Sequence, residues 1–131
     1  MLIATDEVGR MVNRPSKPAI GRMPVNLQRR NAQTVLERAE EDMEGSWYVQ
    51  VLLCDDNTSQ LEFRDGAAAE HYQTRTISQD KVLTAILGWA ASKADWKDGF
   101  MWNNIGSQFV ADDAENQGRT RGVGGAGGLL P

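Results

Sequence analysis

The chain has 131 residues, 40% of them hydrophobic, and a formal net charge of −4. That is enough for one hydrophobic core and too little for two. No stretch approaches the ~20 consecutive apolar residues of a membrane-spanning helix, and MLIATDEVGR lacks the basic start and apolar run of a secretory signal. The single cysteine, Cys54, excludes an internal disulfide and a cysteine-based zinc site, so the expected setting is reducing and cytoplasmic.

Charge is unevenly distributed. Residues 1–30 hold six Lys/Arg against two acids, whereas residues 31–106 hold six against thirteen. Within the first segment, NRPSKPAIGRMP carries three prolines and a glycine in twelve residues. Proline removes donors and restricts the residue before it, so residues 1–25 read as an extended basic arm that could pair at one sheet edge. Such an arm offers a route to nucleic acid, but it lacks interleaved aromatic residues, which makes direct nucleic-acid binding the weaker expectation.

NLQRRNAQTVLERAEEDMEG, residues 26–45, has the spacing of a helix. Ala32, Val35, Leu36, Ala39 and Met43 recur at three and four, Asn26 and Asn31 are candidate caps, and Gly45 stands where helices commonly stop. The opposite face carries Arg38, Glu40, Glu41, Asp42 and Glu44, and acids near a helix C-terminus oppose its dipole. WYVQVLLC then reads as a central strand with two largely apolar faces, DDNTS as a turn, and QLEF as the second half of a hairpin. After the link RDGAAA, EHYQTRTI is a third, half-exposed strand. Ser78 caps a second helix with a stripe of Val82, Leu83, Ile86, Leu87, Ala90 and Ala91, and Asp80 suits its first turn. A turn at DWKDG leads to a short last strand, GFMWN, with Phe100 and Trp102 on one side and Met101 opposite. From residue 107 to 131 the composition, ending in GVGGAGGLLP, is that of a flexible Gly-rich tail. The expected fold is therefore α+β: a single domain over residues 26–106, with an antiparallel sheet of about four strands and two helices in the order α-β-β-β-α-β.

Motifs for chemistry are sparse. GVGGAGG precedes only LLP, without the strand-loop-helix context or the Lys-Ser/Thr pair of a phosphate loop. His71 sits among Glu70, Gln73 and Arg75 with no motif linking it to Cys54, and reads as an exposed strand residue. Asp55-Asp56, Asp112-Asp113 and the acids of residues 40–44 lack the spacing of a calcium loop. No catalytic, metal or cofactor residue is assigned, and a non-enzyme is expected. Of the tryptophans, Trp47 and Trp102 read as core, Trp89 as a helix residue at the core's edge, and Trp96 as the exposed aromatic available to a partner.

WYVQVLLCDDNTSQLEF followed by TISQDKVLTAILGWAASKADWKDGFMW resembles the Imm1-like immunity proteins of bacterial polymorphic toxin systems, over about residues 26–104. Those proteins join a first helix, an antiparallel sheet and a second helix, then close on a tryptophan that Trp102 would match. RDGAAA stands where the family has glycine-rich stretches between strands, and the basic arm has no counterpart. The resemblance implies a cytoplasmic binding protein that blocks the basic active site of a toxin. The partner-binding residues expected on that basis are Glu40, Glu41, Asp42, Glu44, Asp55 and Asp56, with Trp96 as an aromatic anchor. The alternatives are a small structural or adaptor component of a phage particle or multi-subunit assembly, and a phage inhibitor of host defence.

Overall fold

The computed structural model describes residues 1–110. Its strands are β1 (Leu2–Asp6), β2 (Met11–Asn13), β3 (Gln33–Arg38), β4 (Ser46–Leu53), β5 (Ser59–Gly66), β6 (His71–Thr76) and β7 (Asn103–Asn104). They form one antiparallel sheet in the order β2-β1-β3-β4-β5-β6-β7. Helix α1 (Lys17–Arg22) links β2 to β3, while α2 (Gln79–Ala90) and a 3-10 turn (Asp95–Gly99) link β6 to β7. The class is α+β, as the sequence implies, with more strands than its reading provides.

The sheet has two unlike faces because side chains alternate along each strand. Register places Leu36, Val49 and Phe63 side by side on one face, with Thr34, Val51, Leu61 and Thr74 in the next row. These residues are buried against Val82, Ala85, Ile86 and Trp89 of α2 and Ile20 of α1. The other face carries Val35, Gln50, Glu62 and Gln73 in one row and Glu37, Tyr48, Arg64 and His71 in the next.

Helix α2 is where the pattern places it. The Ser78 side chain accepts from the Lys81 N–H at 3.2 Å, and the buried residues Val82, Ala85, Ile86 and Trp89 follow helical spacing. The helix ends in a left-handed residue, Ser92 (φ 59°), with Ser92 N–H bonded to Trp89 O and Lys93 N–H to Gly88 O. This pair of bonds closes the last carbonyls in the Schellman arrangement.

Three expectations are corrected. The helix expected over residues 26–45 is instead a loop followed by β3 and a second loop. Thr34 and Leu36 face the core while Val35 points the other way, and β3 is hydrogen-bonded to β1 on one side and β4 on the other. Two ladders satisfy its backbone and outweigh a local helical preference, which is a weak prior. Residues 1–25 are not an arm beside the domain: they supply β1, β2 and α1, and β1 is an interior strand. The last strand is two residues long, and DWKDG is a 3-10 turn. Phe100 and Trp102 pack on the core with Met101 89% exposed, so their alternation is as expected. Residues 106–110 form a helical turn. The remainder of the glycine-rich tail, with Asp112-Asp113 and GVGGAGG, lies outside the described residues.

Candidate functional site

Residues 39–45 connect β3 to β4 and hold four of the expected partner-binding acids: Glu40, Glu41, Asp42 and Glu44 are all exposed. The connection is anchored at several points. Met1 and Ala39 exchange backbone hydrogen bonds, and Met43 N–H donates to Glu40 O. The Trp47 indole N–H donates to Glu44 O at 2.9 Å. Two glycines permit the approach of the sheet beneath. Gly45 (φ +81°) abuts the Gly66 backbone, and a β-carbon on Gly66 (φ +87°) would meet the Trp47 ring at 2.9 Å. Glu40 also pairs with the N-terminal ammonium group. That hydrogen bond and charge, with Arg38 and Arg14 nearby, hold its carboxyl below the ordinary value of 4.5 against a smaller opposing effect of burial.

Half-buried Met43 and Trp47 lie beside these acids and line two shallow grooves. One, of about 410 Å³, runs along Glu37, Arg38, Glu40 and Glu41. The other, of about 380 Å³, reaches Asp65, Trp89, Lys93 and Lys97. Arg38 stands between them, stacked 4.8 Å over the Trp89 ring and donating to Trp89 O at 3.0 Å. The aromatic side chain next to the acids is thus Trp47, whose half-buried state the alternation along its strand does not reveal.

The other expected site residues fall elsewhere. Asp55 and Asp56 occupy the β4–β5 turn at the far end of β4. At ~3.3 Å per residue, an eight-residue strand separates its two ends by roughly 23 Å. Asp56 caps its own turn, accepting from Thr58 Oγ1 at 2.6 Å and Thr58 N–H at 3.1 Å. These bonds and Arg75 hold its carboxyl below the ordinary 3.8. Trp96, expected as an exposed anchor, is 7% exposed. It presents an edge to Phe63 at 5.1 Å and to Trp102 at 5.7 Å, and occupies space that the missing side chain of Gly88 leaves open. Trp89, expected at the margin of the core, is likewise buried.

The face of the sheet opposite α2 holds a polar cluster centred on His71, which is fully buried rather than exposed. His71 Nδ1 accepts from Arg64 Nε at 3.0 Å, so the ring proton is on Nε2, which donates to Glu62 Oε2 at 2.8 Å. Glu62 Oε1 accepts from Gln60 and Gln73 at 3.0 and 2.9 Å. Phe109 stacks on the imidazole at 4.2 Å and lies under the Arg64 guanidinium at 4.8 Å. Burial raises the Tyr48 hydroxyl above its ordinary 10.0, and Glu62 adds to that shift against the opposing charge of Arg64. The strict alternation Gln60, Glu62, Arg64 and His71, Gln73, Arg75 is the sequence signal of this face. With both ring nitrogens engaged and an aromatic lid above, the imidazole has no free lone pair to offer a substrate.

Among the described residues, no group of His, Cys, Asp and Glu is placed to hold a metal ion, and no helix is long and apolar enough to cross a membrane. Compared with known protein families, curated proteins and solved structures, the chain matches none.

Proposed function

We propose that this protein is a non-catalytic inhibitor of the immunity type, which meets a basic partner with the loop of residues 39–45. The observation that carries this reading is the exposure of Glu40, Glu41, Asp42 and Glu44 on one anchored loop beside half-buried Trp47 and Met43. Several carboxylates on one loop complement a surface evolved to receive phosphate and speed encounter with it. An aromatic and a methionine alongside supply the apolar contact that charge alone does not. The engagement of both nitrogens of the single histidine favours binding over catalysis. Asp55 and Asp56, at the opposite end of the sheet, stand apart from this surface. The alternative of an assembly component laced to its neighbours by two extended ends loses one of them, since residues 1–25 are folded into the sheet.

The test is titration calorimetry against a basic nuclease or deaminase toxin domain, sought among the products of neighbouring genes. Replacing Glu40, Glu41 and Asp42 together by lysine is expected to weaken binding by about 100-fold or more. Lysine at Asp55 and Asp56 is expected to change it by less than about threefold, because they stand beyond the roughly 10 Å over which exposed charges act. Unaltered binding by the triple variant sinks the proposal, as does the absence of any complex.

A further inference from the structure

Among the described residues the β2 edge of the sheet is open, and its chemistry specifies what can add to it. The backbone bonds between β1 and β2 include Asp6 N–H to Arg10 O at 3.1 Å and Arg14 N–H to Leu2 O at 2.7 Å. In an antiparallel pair the bonded positions alternate, so Arg10, Val12 and Arg14 face β1. Met11 and Asn13 therefore direct their N–H and C=O groups outward, where the sheet order places no further strand. Within Met11–Asn13 the edge carries no proline and no bulge, and its protection rests on its three-residue length and the flanking arginines. Apolar side chains gather here: Val8 is 61% exposed, Met11 62% and Val12 52%. A groove of about 690 Å³ runs alongside, lined by the apolar Val12, Met23 and Leu27 and by the polar Asp6, Arg10 and Asn31.

Charge selects the occupant. Arginines stand at both ends of the strand: the Arg10 side chain is 75% exposed although its Nε bonds Asp6, and Arg14 is exposed. A second copy pairing all three residues of β2 would set Arg10 opposite Arg14 of its neighbour, and like charges directly opposite destabilise a ladder. A strand with a carboxylate at each end and an apolar residue between them meets no such conflict. We propose that the β2 edge is a strand-addition site for an extended acidic segment of a partner protein, held by the outward backbone groups of Met11 and Asn13, by Val12 and its groove, and by Arg10 and Arg14. This is a second surface beyond residues 39–45, adjoining them where Arg14 stands near Glu40, so the two are told apart with Glu40 left unaltered.

The probe is a short blocked peptide with glutamate at both ends, valine at the centre and threonine between. It is titrated to roughly millimolar concentration into the ¹⁵N-labelled full chain. The expected result is saturable movement of the Met11 and Asn13 amide signals, larger than that of Val12, which weakens with added salt. Met11→Pro removes one outward N–H and no bond to β1, and is expected to abolish the response. Arg14→Glu, which leaves every backbone group in place, is expected to weaken the glutamate peptide at least severalfold and improve a lysine-ended one. Still amides at Met11 and Asn13, or an equal response to the lysine peptide with the unmodified chain, overturn the proposal. So does concentration-dependent dimerisation through this edge, or a stronger response to a single-stranded oligonucleotide.

Discussion

A β-carbon on Gly88 would stand 2.5 Å from the Cβ of Trp96, so the tryptophan is buried in a space that exists because α2 carries a glycine there. Gly88→Ala must either displace the 3-10 turn or bend the helix. We expect a loss of about 1–3 kcal/mol in urea denaturation, the cost typical of overpacking. Trp96→Ala is expected to lose about 3–5 kcal/mol. Alanine at 96 keeps the Cβ that a side chain on residue 88 would meet, so the clash is relieved only with Trp96→Gly, and in Gly88→Ala/Trp96→Gly the two single losses should sum to more than the measured total. Strict additivity would show that the two residues are not in contact.

His71 is held in one tautomer from both sides, by the Arg64 donor at Nδ1 and the Glu62 acceptor at Nε2. Long-range ¹H–¹⁵N correlation spectra are expected to show the proton on Nε2. Glu62→Gln gives up one of two acceptor oxygens while Gln60, Gln73 and His71 all remain donors. The ring cannot compensate by moving its proton, because Nδ1–H would then face Arg64 Nε–H. The expected loss of stability is about 1–3 kcal/mol, the cost of an unsatisfied buried donor.

Acid should weaken the fold through identifiable carboxylates. Burial pushes Asp6 upward, but Asn31, the Arg10 backbone and the Arg10 guanidinium outweigh it and hold the group below 3.8. Asp56 is lowered chiefly by Thr58. Both bind protons more readily when unfolded, so their stabilisation is complete above that ordinary value and is lost as pH falls through the lower folded values. Urea midpoints are expected to fall between about pH 4 and pH 2, with a shallower decline for Asp56→Asn. A decline of the same steepness in the variant would remove Asp56 from this account.

Gly66 joins the sheet to the acidic loop through the Trp47 ring. Gly66→Ala adds a side chain where φ is +87° and the ring atoms are 2.9 Å from the new carbon. Its expected cost is about 1–3 kcal/mol, visible as a lowered thermal midpoint. Because Trp47 bonds Glu44 O, partner binding through residues 39–45 should weaken in the same variant, at temperatures where it remains folded.

Strands with strong alternation and a helix with a cap and a stripe are legible from local sequence alone. Trp47 to Leu53, Gln60 to Phe63, His71 to Thr76 and Gln79 to Ala90 all fall within the segments their periodicity marks. Residues 33–38 are not legible in this way. QTVLER satisfies a helical spacing, and only the ladders to β1 and β4 make it a strand. Nothing in NRPSKPAIGRMP announces that the preceding residues supply an interior strand, because long-range pairing leaves no local mark. The same holds for side chains. Exposure of the acids at 40–44 follows from their chemistry, since unpaired charge stays in water. Their separation from Asp55 and Asp56 follows from the length of β4 and the direction of the chain.

The sequence by itself determined the α+β class, the strands β4, β5 and β6, the capped second helix and the acidity of the body, because each rests on periodicity, capping or charge within a few residues. Tertiary structure alone decided that the N-terminal residues complete the sheet, that His71 is buried between Glu62 and Arg64, and that Trp96 belongs to the core while Trp47 flanks the acidic loop. These depend on which surfaces meet across distant positions. A tryptophan seated over Gly88 and one seated over Gly66 look alike in sequence, and only the packing around each glycine distinguishes them.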